Sequence, residues 1–247
     1  FQIPHFTTRD PLCEKYYDLS PYGYCAGNPM RYVDYKGDSI SLAGIQQLDQ
    51  QLNTNYTQTL VNDLQLQTGL TITIAANGNM SYAKDTKGNP IVAVTTDTNG
   101  NVVQVGSVMA RTLMTGAIDH KDWVSVAPGK SGVVPGTNSI GLNFKQINGF
   151  INGTVGMDNK TLGLGMTFMH EHHHTQVGGG LHDTPGNPGP VVIQMNAIRS
   201  ELNTLGGNYG QRLDYAATHI GAYNYIPFSK PAQSLLSVGL VPVNTYV

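Results

Sequence analysis

Hydrophobic positions recur at intervals of three and four over residues 41–67, which predicts one long amphipathic helix. Gly69 follows this stretch and is expected to end the helix. The same spacing predicts further helices over residues 105–117 and 189–202, the latter with Pro190 in its first turn. Helices are therefore predicted in the first half, in the middle and in the last third of the chain.

Short stretches between these helices follow a different pattern, in which hydrophobic residues alternate or run together for four to six positions. Such stretches, bounded by Asn-Gly pairs at Asn77-Gly78 and Asn99-Gly100, predict strands and hairpin turns. The predicted strands are residues 70–74, 91–94, 123–126 and 139–144. A helix, a small sheet and then more helices indicate an α+β fold.

The chemistry of the chain concentrates in one segment, His170-Glu171-His172-His173-His174. On a helix, His170 and His174 lie four residues apart and share a face, so both can bind one metal ion. Glu171 is then turned by about 100° and can hold a water molecule without binding the ion itself. This is the H-E-x-x-H arrangement of zinc peptidases, so we expect Zn²⁺ as cofactor and Glu171 as the catalytic base.

A simpler interpretation of the same segment is a histidine-rich surface patch that binds metal adventitiously. The residues before it argue for a buried helix instead, because most of them are apolar. They are Leu162, Leu164, Met166, Phe168 and Met169.

A zinc peptidase needs a third protein ligand and one open coordination position. Three glycines at 178–180 follow the motif and are expected to end the helix and turn the chain back toward the ion. We predict Asp183 as the third ligand, because a carboxylate partly neutralises the cation. His182 and Glu201 are the alternatives, and Glu201 would project from the helix predicted over 189–202.

A cation and a phenol, Arg212 and Tyr215, follow three residues apart. In peptide hydrolysis the attacked carbonyl becomes an oxyanion, which such groups stabilise, so we predict both as catalytic. Asn196 and Arg199 are expected to brace the site.

Residues 160–216 resemble the zincins, because Arg-x-x-Tyr after H-E-x-x-H is similar to clostridial neurotoxin light chains and short bacterial effector zincins. The resemblance implies a zincin-like fold, in which a small mixed sheet lies beside the helix that carries the motif. In zincins the edge strand of that sheet pairs with the substrate backbone, and residues 139–144 are our candidate for this strand.

Residues 10–39 differ in composition from the rest of the chain, with aromatic residues among Pro, Gly and Asn. Their order, Asp-Pro-Leu, then Ser-Pro-Tyr-x-Tyr-x-x-x-Asn-Pro, then Asp-x-x-Gly, resembles the closing segment of the Rhs/YD-repeat core. The resemblance implies a boundary between residues 1–39 and a variable C-terminal domain, 40–247. Such tails are commonly toxins or effectors, so we expect a bacterial protein that is secreted or displayed at the cell surface, with an immunity protein as a partner.

Composition limits the remaining function classes. Charged residues make up 12% of the 247 residues, the formal net charge is −2, and Lys and Arg form no cluster, so no nucleic-acid interface is expected. No apolar run is long enough to span a membrane. The spacing of Cys13 and Cys25 fits no zinc-ribbon or redox motif, and we expect both to be free thiols.

These observations predict a zinc-dependent hydrolase of peptide bonds that acts on a protein or peptide substrate. The main alternative is a non-catalytic metal-binding or structural module of a large cell-surface protein. A metal-dependent hydrolase of another bond, such as a nuclease or an amidase, is a further alternative.

Overall fold

Helices and small sheets alternate along the described part of the chain, which makes it an α+β structure. The computed structural model describes residues 40–97, 99–154, 156–184, 188–216, 218–220, 223–230 and 233–242. The segment that resembles the Rhs core, with Cys13 and Cys25, lies outside these residues, and the domain boundary after residue 39 stays a prediction.

Six α-helices are present among the described residues, together with a 3-10 helix at Asn159–Leu162. No helix among them is both long and apolar enough to cross a membrane. The helices are α1 (Ala43–Leu52), α2 (Tyr56–Thr68), α3 (Val108–Ile118), α4 (Phe144–Gly153), α5 (Leu164–His174) and α6 (Pro190–Thr204).

One mixed sheet lies against the helices. Its strands are β1 (Ile40–Ser41), β6 (Val124–Pro128), β8 (Ser139–Leu142) and β7 (Gly132–Val133), in that order across the sheet. β1, β6 and β8 are parallel, whereas β7 runs antiparallel to β8 and forms one edge. The expectation that residues 139–144 form the edge strand is therefore wrong, because β7 covers that side of β8.

The remaining strands form two hairpins and a second sheet. The hairpins pair β2 (Ile72–Ile74) with β3 (Met80–Tyr82) and β4 (Val94–Thr96) with β5 (Val102–Gln104). The second sheet consists of β9 (Gln211–Arg212), β10 (Thr218–Ile220), β11 (Tyr223–Lys230) and β12 (Gln233–Pro242), with β11 pairing all three others. The sequence patterns did not predict α4 or this sheet.

The long helix predicted over residues 41–67 is two helices, α1 and α2. Asn53 ends α1 in the left-handed conformation, with φ of 52°, which the short polar side chain of Asn tolerates. The carboxylate of Asp49 then accepts hydrogen bonds from the backbone N–H groups of Tyr56 and Thr57, both at 2.8 Å, and so begins α2. The apolar spacing continues through this break, which is why periodicity alone predicted one helix.

The α5 helix lies inside the main core rather than on the surface. Apolar side chains from α2, α3, α6 and the mixed sheet surround it, and Phe168 and Met169 are fully buried. Gly165 allows α2 to pack closely, since a Cβ atom at this position would lie 2.4 Å from the side-chain oxygen of Gln67. The last turns of α5 are consequently held in a fixed position.

Candidate metal centre

The C-terminal half of α5 carries His170, Glu171 and His174, and the two imidazoles face each other. Their Nε2 atoms are 3.3 Å apart. Two nitrogens bound to one tetrahedral zinc ion at 2.0–2.1 Å are separated by about 3.3 Å, so this spacing fits a shared ion. Two imidazole Nε2 atoms at this distance, one on the buried His170 and one on the half-buried His174, need a cation or a proton between them.

A hydrogen bond fixes which nitrogen of His174 faces the site. The Nδ1–H group of His174 donates to the carbonyl oxygen of Leu181 at 2.5 Å. Because a carbonyl can only accept, Nδ1 carries the proton and the lone pair of Nε2 is directed at His170. Histidines that bind metal ions are commonly oriented by a carbonyl in this way.

The chain returns to the site through the glycines that follow α5. Gly179 and Gly180 have φ of 100° and 61°, which side chains other than Gly rarely adopt. The backbone N–H groups of Gly180 and Leu181 donate to the carbonyls of Thr175, at 2.7 Å, and His173, at 3.0 Å. This turn brings residues 181–183 back beside the imidazoles, as the three glycines predict.

Asp183 completes a group of three possible metal ligands. Its Oδ1 accepts hydrogen bonds from Val191 N–H, at 3.0 Å, and Val192 N–H, at 3.4 Å, and thereby caps the beginning of α6. Its Oδ2 is buried without a hydrogen-bond partner and lies 3.9 Å from Nε2 of His170. The ligand atoms of His170, His174 and Asp183 all lie within 4.8 Å of one another, so the group could hold a metal ion.

The contact between His170 and Asp183 is not an ordinary ion pair. Burial, with a contribution from Arg212, lowers the pKa of His170 well below its usual value, so the imidazole is neutral at neutral pH. A neutral ring is the form that binds a metal ion. A buried carboxylate oxygen without a donor and a neutral imidazole together fit a cation as their shared partner.

Glu171 points from the same turn of helix into a space beside these ligands. Burial raises the pKa of this carboxyl to about 7, an effect that Arg212 opposes and Asp183 reinforces. A carboxyl with a pKa near neutrality can both accept and return a proton.

Arg212 and Tyr215 reach the site from β9 and the segment after it. The Tyr215 ring lies parallel to the His170 ring, with centroids 6.0 Å apart and planes 10° apart. The Arg212 guanidinium donates to the backbone carbonyls of Asp214, at 2.8 Å, and Tyr215, and so holds the loop that carries the phenol. Burial and Glu171 raise the pKa of the Tyr215 phenol, which therefore keeps its proton at neutral pH.

Asn196 on α6 holds the backbone of Arg212 in position. Its side-chain amide donates to the carbonyl of Arg212 at 2.8 Å, and its Oδ1 accepts from the Arg212 N–H at 2.9 Å. The same Oδ1 accepts from the guanidinium of Arg199 at 3.0 Å. The bracing contacts expected of Asn196 and Arg199 are therefore present.

The other candidate ligands lie elsewhere. Glu201 accepts hydrogen bonds from Ser107 Oγ, at 2.6 Å, and Met109 N–H, at 3.0 Å, and so stabilises the beginning of α3. His182 is exposed and its ring stacks on the outer side of the His174 ring at 6.2 Å. Neither belongs to the group of three ligand atoms that converge in the described structure.

The two remaining histidines of the motif face the core. Burial lowers the pKa of His172 to about 4 and lowers that of His173, so both rings are neutral at neutral pH. The His172 ring lies 6.3 Å from Phe168. Both histidines therefore pack in the protein interior.

A cleft of about 550 Å³ opens along one side of the metal ligands. The edge strand β7 and the turn after it form its far wall, opposite Glu171, His174 and Tyr215. Sequence patterns missed this wall, which includes Ser131, because Gly132 and Val133 form a strand of only two residues. The surrounding Gly and Pro residues signal a turn and not a strand.

Comparison of the chain with protein-family models, with curated proteins and with solved structures gives no match.

Proposed function

We propose that the protein is a zinc-dependent peptidase in which His170, His174 and Asp183 hold the ion. The observation that carries this proposal is the convergence of two Nε2 atoms, 3.3 Å apart, with an unpartnered carboxylate oxygen in the protein interior. Two imidazoles and one carboxylate are a donor set that zinc favours in hydrolases, with a fourth position left for water or substrate. When bound there, zinc acts as a Lewis acid that lowers the pKa of water and polarises a carbonyl.

Glu171 is the catalytic base in this proposal. Its carboxylate takes a proton from the attacking water as the water oxygen bonds to the peptide carbonyl carbon. The same carboxyl then gives the proton to the leaving nitrogen as the carbon–nitrogen bond breaks. Burial, which raises the pKa of this carboxyl, makes it a stronger base than an exposed glutamate.

Tyr215 and Arg212 have different tasks. The Tyr215 phenol keeps its proton and stands beside His170, so it can donate a hydrogen bond to the developing oxyanion. Arg212 uses its guanidinium to hold the carbonyls of Asp214 and Tyr215, and it adds positive charge near the oxyanion. We therefore propose Tyr215 as the direct donor and Arg212 as the group that positions it.

The substrate is proposed to lie along β7. This strand is the edge of the mixed sheet and lines the cleft beside Glu171 and Tyr215. An edge strand offers backbone N–H and C=O groups to an extended chain, which suits a peptide.

The fold and the biological setting follow from resemblance and remain part of the proposal. The α+β arrangement, with a mixed sheet beside the motif helix, is compatible with a zincin-like fold. We propose further that the protein is the variable effector or toxin end of an Rhs-type protein, exported or displayed by a bacterium and accompanied by an immunity protein. The support for this is the order of residues 10–39 in the sequence.

The deciding experiment compares Glu171→Gln with Glu201→Gln on an unfolded protein substrate such as denatured casein, with zinc content measured in parallel. The first variant is expected to keep one zinc ion per chain. Its kcat/KM is expected to be roughly 10²–10⁴-fold lower than that of the wild type, the range for loss of a general base. Glu201 lies at the beginning of α3, so the second variant is expected to keep zinc and activity. Undiminished cleavage by Glu171→Gln would reject the mechanism, and zinc binding without turnover in the wild type would favour a non-catalytic module.

A further inference from the structure

A second, smaller cavity of about 270 Å³ adjoins the β7 cleft, and Ser131, Glu171 and Tyr215 line both. Drug-sized ligands usually occupy roughly 300–1,000 Å³, so this cavity suits a single side chain. Apolar and polar side chains share its walls, and the polar ones include His170, Glu171 and the guanidinium groups of Arg199 and Arg212. The apolar wall consists of Ile147, Phe150, Leu162, Met166 and Ile226.

Arg199 is an unusual residue to bury at this place. It is only 2% exposed, and its Nε atom has no hydrogen-bond partner. Its two other nitrogens donate to Asn196 Oδ1, at 3.0 Å, and to the carbonyl of Thr161, at 3.1 Å, both uncharged acceptors. No carboxylate of the described residues forms an ion pair with it, and the Phe228 ring, centred 5.9 Å from the guanidinium carbon, compensates its charge only in part.

Arg212 adds a second positive charge to the same cavity. Burial and Arg212 together lower the pKa of Arg199 to about 9, which still leaves Arg199 charged at neutral pH. The Arg212 guanidinium is likewise bound to neutral carbonyl oxygens, those of Asp214 and Tyr215. Two cations, Arg199 buried and Arg212 half-buried, beside a partly apolar wall make a site that favours an anion.

The nearby acidic groups compensate Arg212 but not Arg199, because Asp183, Glu171 and Asp214 oppose the lowering of the Arg212 pKa by burial, whereas no described carboxylate acts on the pKa of Arg199. Asp183 uses Oδ1 to cap α6, and its Oδ2 is directed at His170 rather than at the arginines. Glu171 lines both the cavity and the cleft and serves as the base in the proposed reaction. A further anion is therefore needed to compensate Arg199.

We infer that this cavity binds the carboxylate of an acidic substrate side chain that flanks the cleaved bond. The inference rests on the proposed peptidase function and adds a specificity to it. Arg199 is the residue that selects the carboxylate, because it is the buried cation without an acidic partner. The small volume and the apolar wall accommodate the methylene groups of Asp or Glu, whereas the amides Asn and Gln would leave the cation unpaired.

The test uses short fluorescence-quenched peptides that differ at one position on either side of the cleaved bond, with Glu, Gln, Asp or Asn placed there. At one of the two flanking positions, wild-type protein is expected to cleave the Glu or Asp peptide with roughly tenfold to a hundredfold higher kcat/KM than its amide counterpart. Equal rates for acid and amide at both positions would overturn the inference. This comparison needs only the wild-type protein.

Variants then assign the preference to Arg199. Arg199→Met is expected to bring the acid-to-amide ratio close to one, and Arg199→Lys to leave a smaller preference for the acid. The ratio does not depend on how much of a variant is folded. Arg111→Met is the matched control, since Arg111 is also buried but is bound by Thr68, Gln104 and Val105 outside this cavity. An unchanged ratio in Arg199→Met would overturn the assignment.

A binding measurement separates this inference from the peptidase proposal. Fluorescence anisotropy of the labelled Glu and Gln peptides with Glu171→Gln protein requires no cleavage. Roughly tenfold tighter binding of the Glu peptide by Glu171→Gln protein, together with no cleavage of either peptide by the wild type, would support the carboxylate site and reject the peptidase function. Cleavage without any preference in rate or binding would keep the peptidase and reject the carboxylate site.

Discussion

Oδ1 of Asp183 accepts a hydrogen bond from the backbone N–H of Val191 at 3.0 Å. The residue proposed as the third zinc ligand therefore also begins α6, the helix that carries Asn196 and Arg199. Its other oxygen, Oδ2, has no hydrogen-bond partner and faces His170. One carboxylate thus couples the position of a metal ligand to the position of the helix behind the site.

The two oxygens of Asp183 can be tested separately. Asp183→Asn keeps an oxygen that can cap α6 but removes the negative charge, so zinc affinity is expected to fall by more than the roughly 10–100-fold seen for residues that only support a ligand. Asp183→Ala also loses the cap and is expected to cost about a further 1 kcal/mol in unfolding free energy. Zinc titration and urea unfolding check the two effects.

The control for the cap is Asn143→Ala, because the Asn143 side chain caps α4 through Gln146 N–H at 2.9 Å. This variant is expected to lose about 1 kcal/mol of stability and no zinc affinity. Equal zinc affinity in wild type and Asp183→Asn would show that Asp183 is not a ligand.

Gly189 provides a way to displace Asp183 without changing a ligand. A Cβ atom at position 189 would lie 2.1 Å from Oδ1 of Asp183, so the carboxylate must move in Gly189→Ala. We expect zinc affinity to fall by roughly tenfold or more, by analogy with the loss of supporting contacts around metal ligands. Gly116→Ala is the control, because a Cβ atom there meets nothing within 4 Å. Unchanged zinc affinity in Gly189→Ala would contradict the proposed role of Asp183.

Glu171 is expected to destabilise the metal-free protein at neutral and higher pH. Burial raises its pKa from an ordinary 4.5 to about 7, so the folded state holds the proton more tightly than the unfolded state. The resulting loss of unfolding free energy is absent below pH 4.5, grows between pH 4.5 and about 7, and is complete above pH 7. At roughly 1.4 kcal/mol per pH unit it reaches about 3 kcal/mol.

Without metal, the free energy of unfolding of Glu171→Gln is therefore expected to be about 3 kcal/mol higher than that of the wild type at pH 8. Near pH 4.5 the two values are expected to be equal. Urea unfolding of both proteins over this pH range measures the difference. Buried histidines such as His172 make the folded protein less stable as the pH falls. Both proteins contain them, so their effect cancels in the comparison. A difference that does not vary with pH would contradict the assigned pKa.

Tyr215→Phe removes one hydroxyl and keeps the ring beside His170. If the phenol donates to the oxyanion, kcat is expected to fall by roughly 10²–10³, with zinc content and KM little changed. Single-substrate kinetics on a peptide that the wild type cleaves check this split. A rise in KM at constant kcat would instead assign Tyr215 to substrate binding.

Sequence patterns identified the residues of the site better than their surroundings. The apolar residues before His170 placed the motif on a buried helix, and the glycines at 178–180 indicated the return that brings Asp183 to it. Both features are local in sequence, which is why spacing and glycine content reveal them.

Features that depend on contacts between residues far apart in the sequence could not be predicted from local patterns. Glu201 could have been a ligand by spacing, but Ser107 and Met109 at the beginning of α3 hold it away. β7 has two residues and is a strand only because β8 pairs with it. The cap that Asp183 provides for α6, and the lack of an acidic partner for Arg199, likewise arise only when α6 packs beside the site.

The central claim is that His170, His174 and Asp183 together bind one zinc ion. Anomalous scattering at the zinc absorption edge, from crystals of protein loaded with one equivalent of zinc, tests it most directly. The account predicts a single peak within about 2.0–2.2 Å of Nε2 of His170, Nε2 of His174 and Oδ2 of Asp183. A crystal with no anomalous peak between these three atoms, or with the ion held at His182 or Glu201 instead, would contradict it.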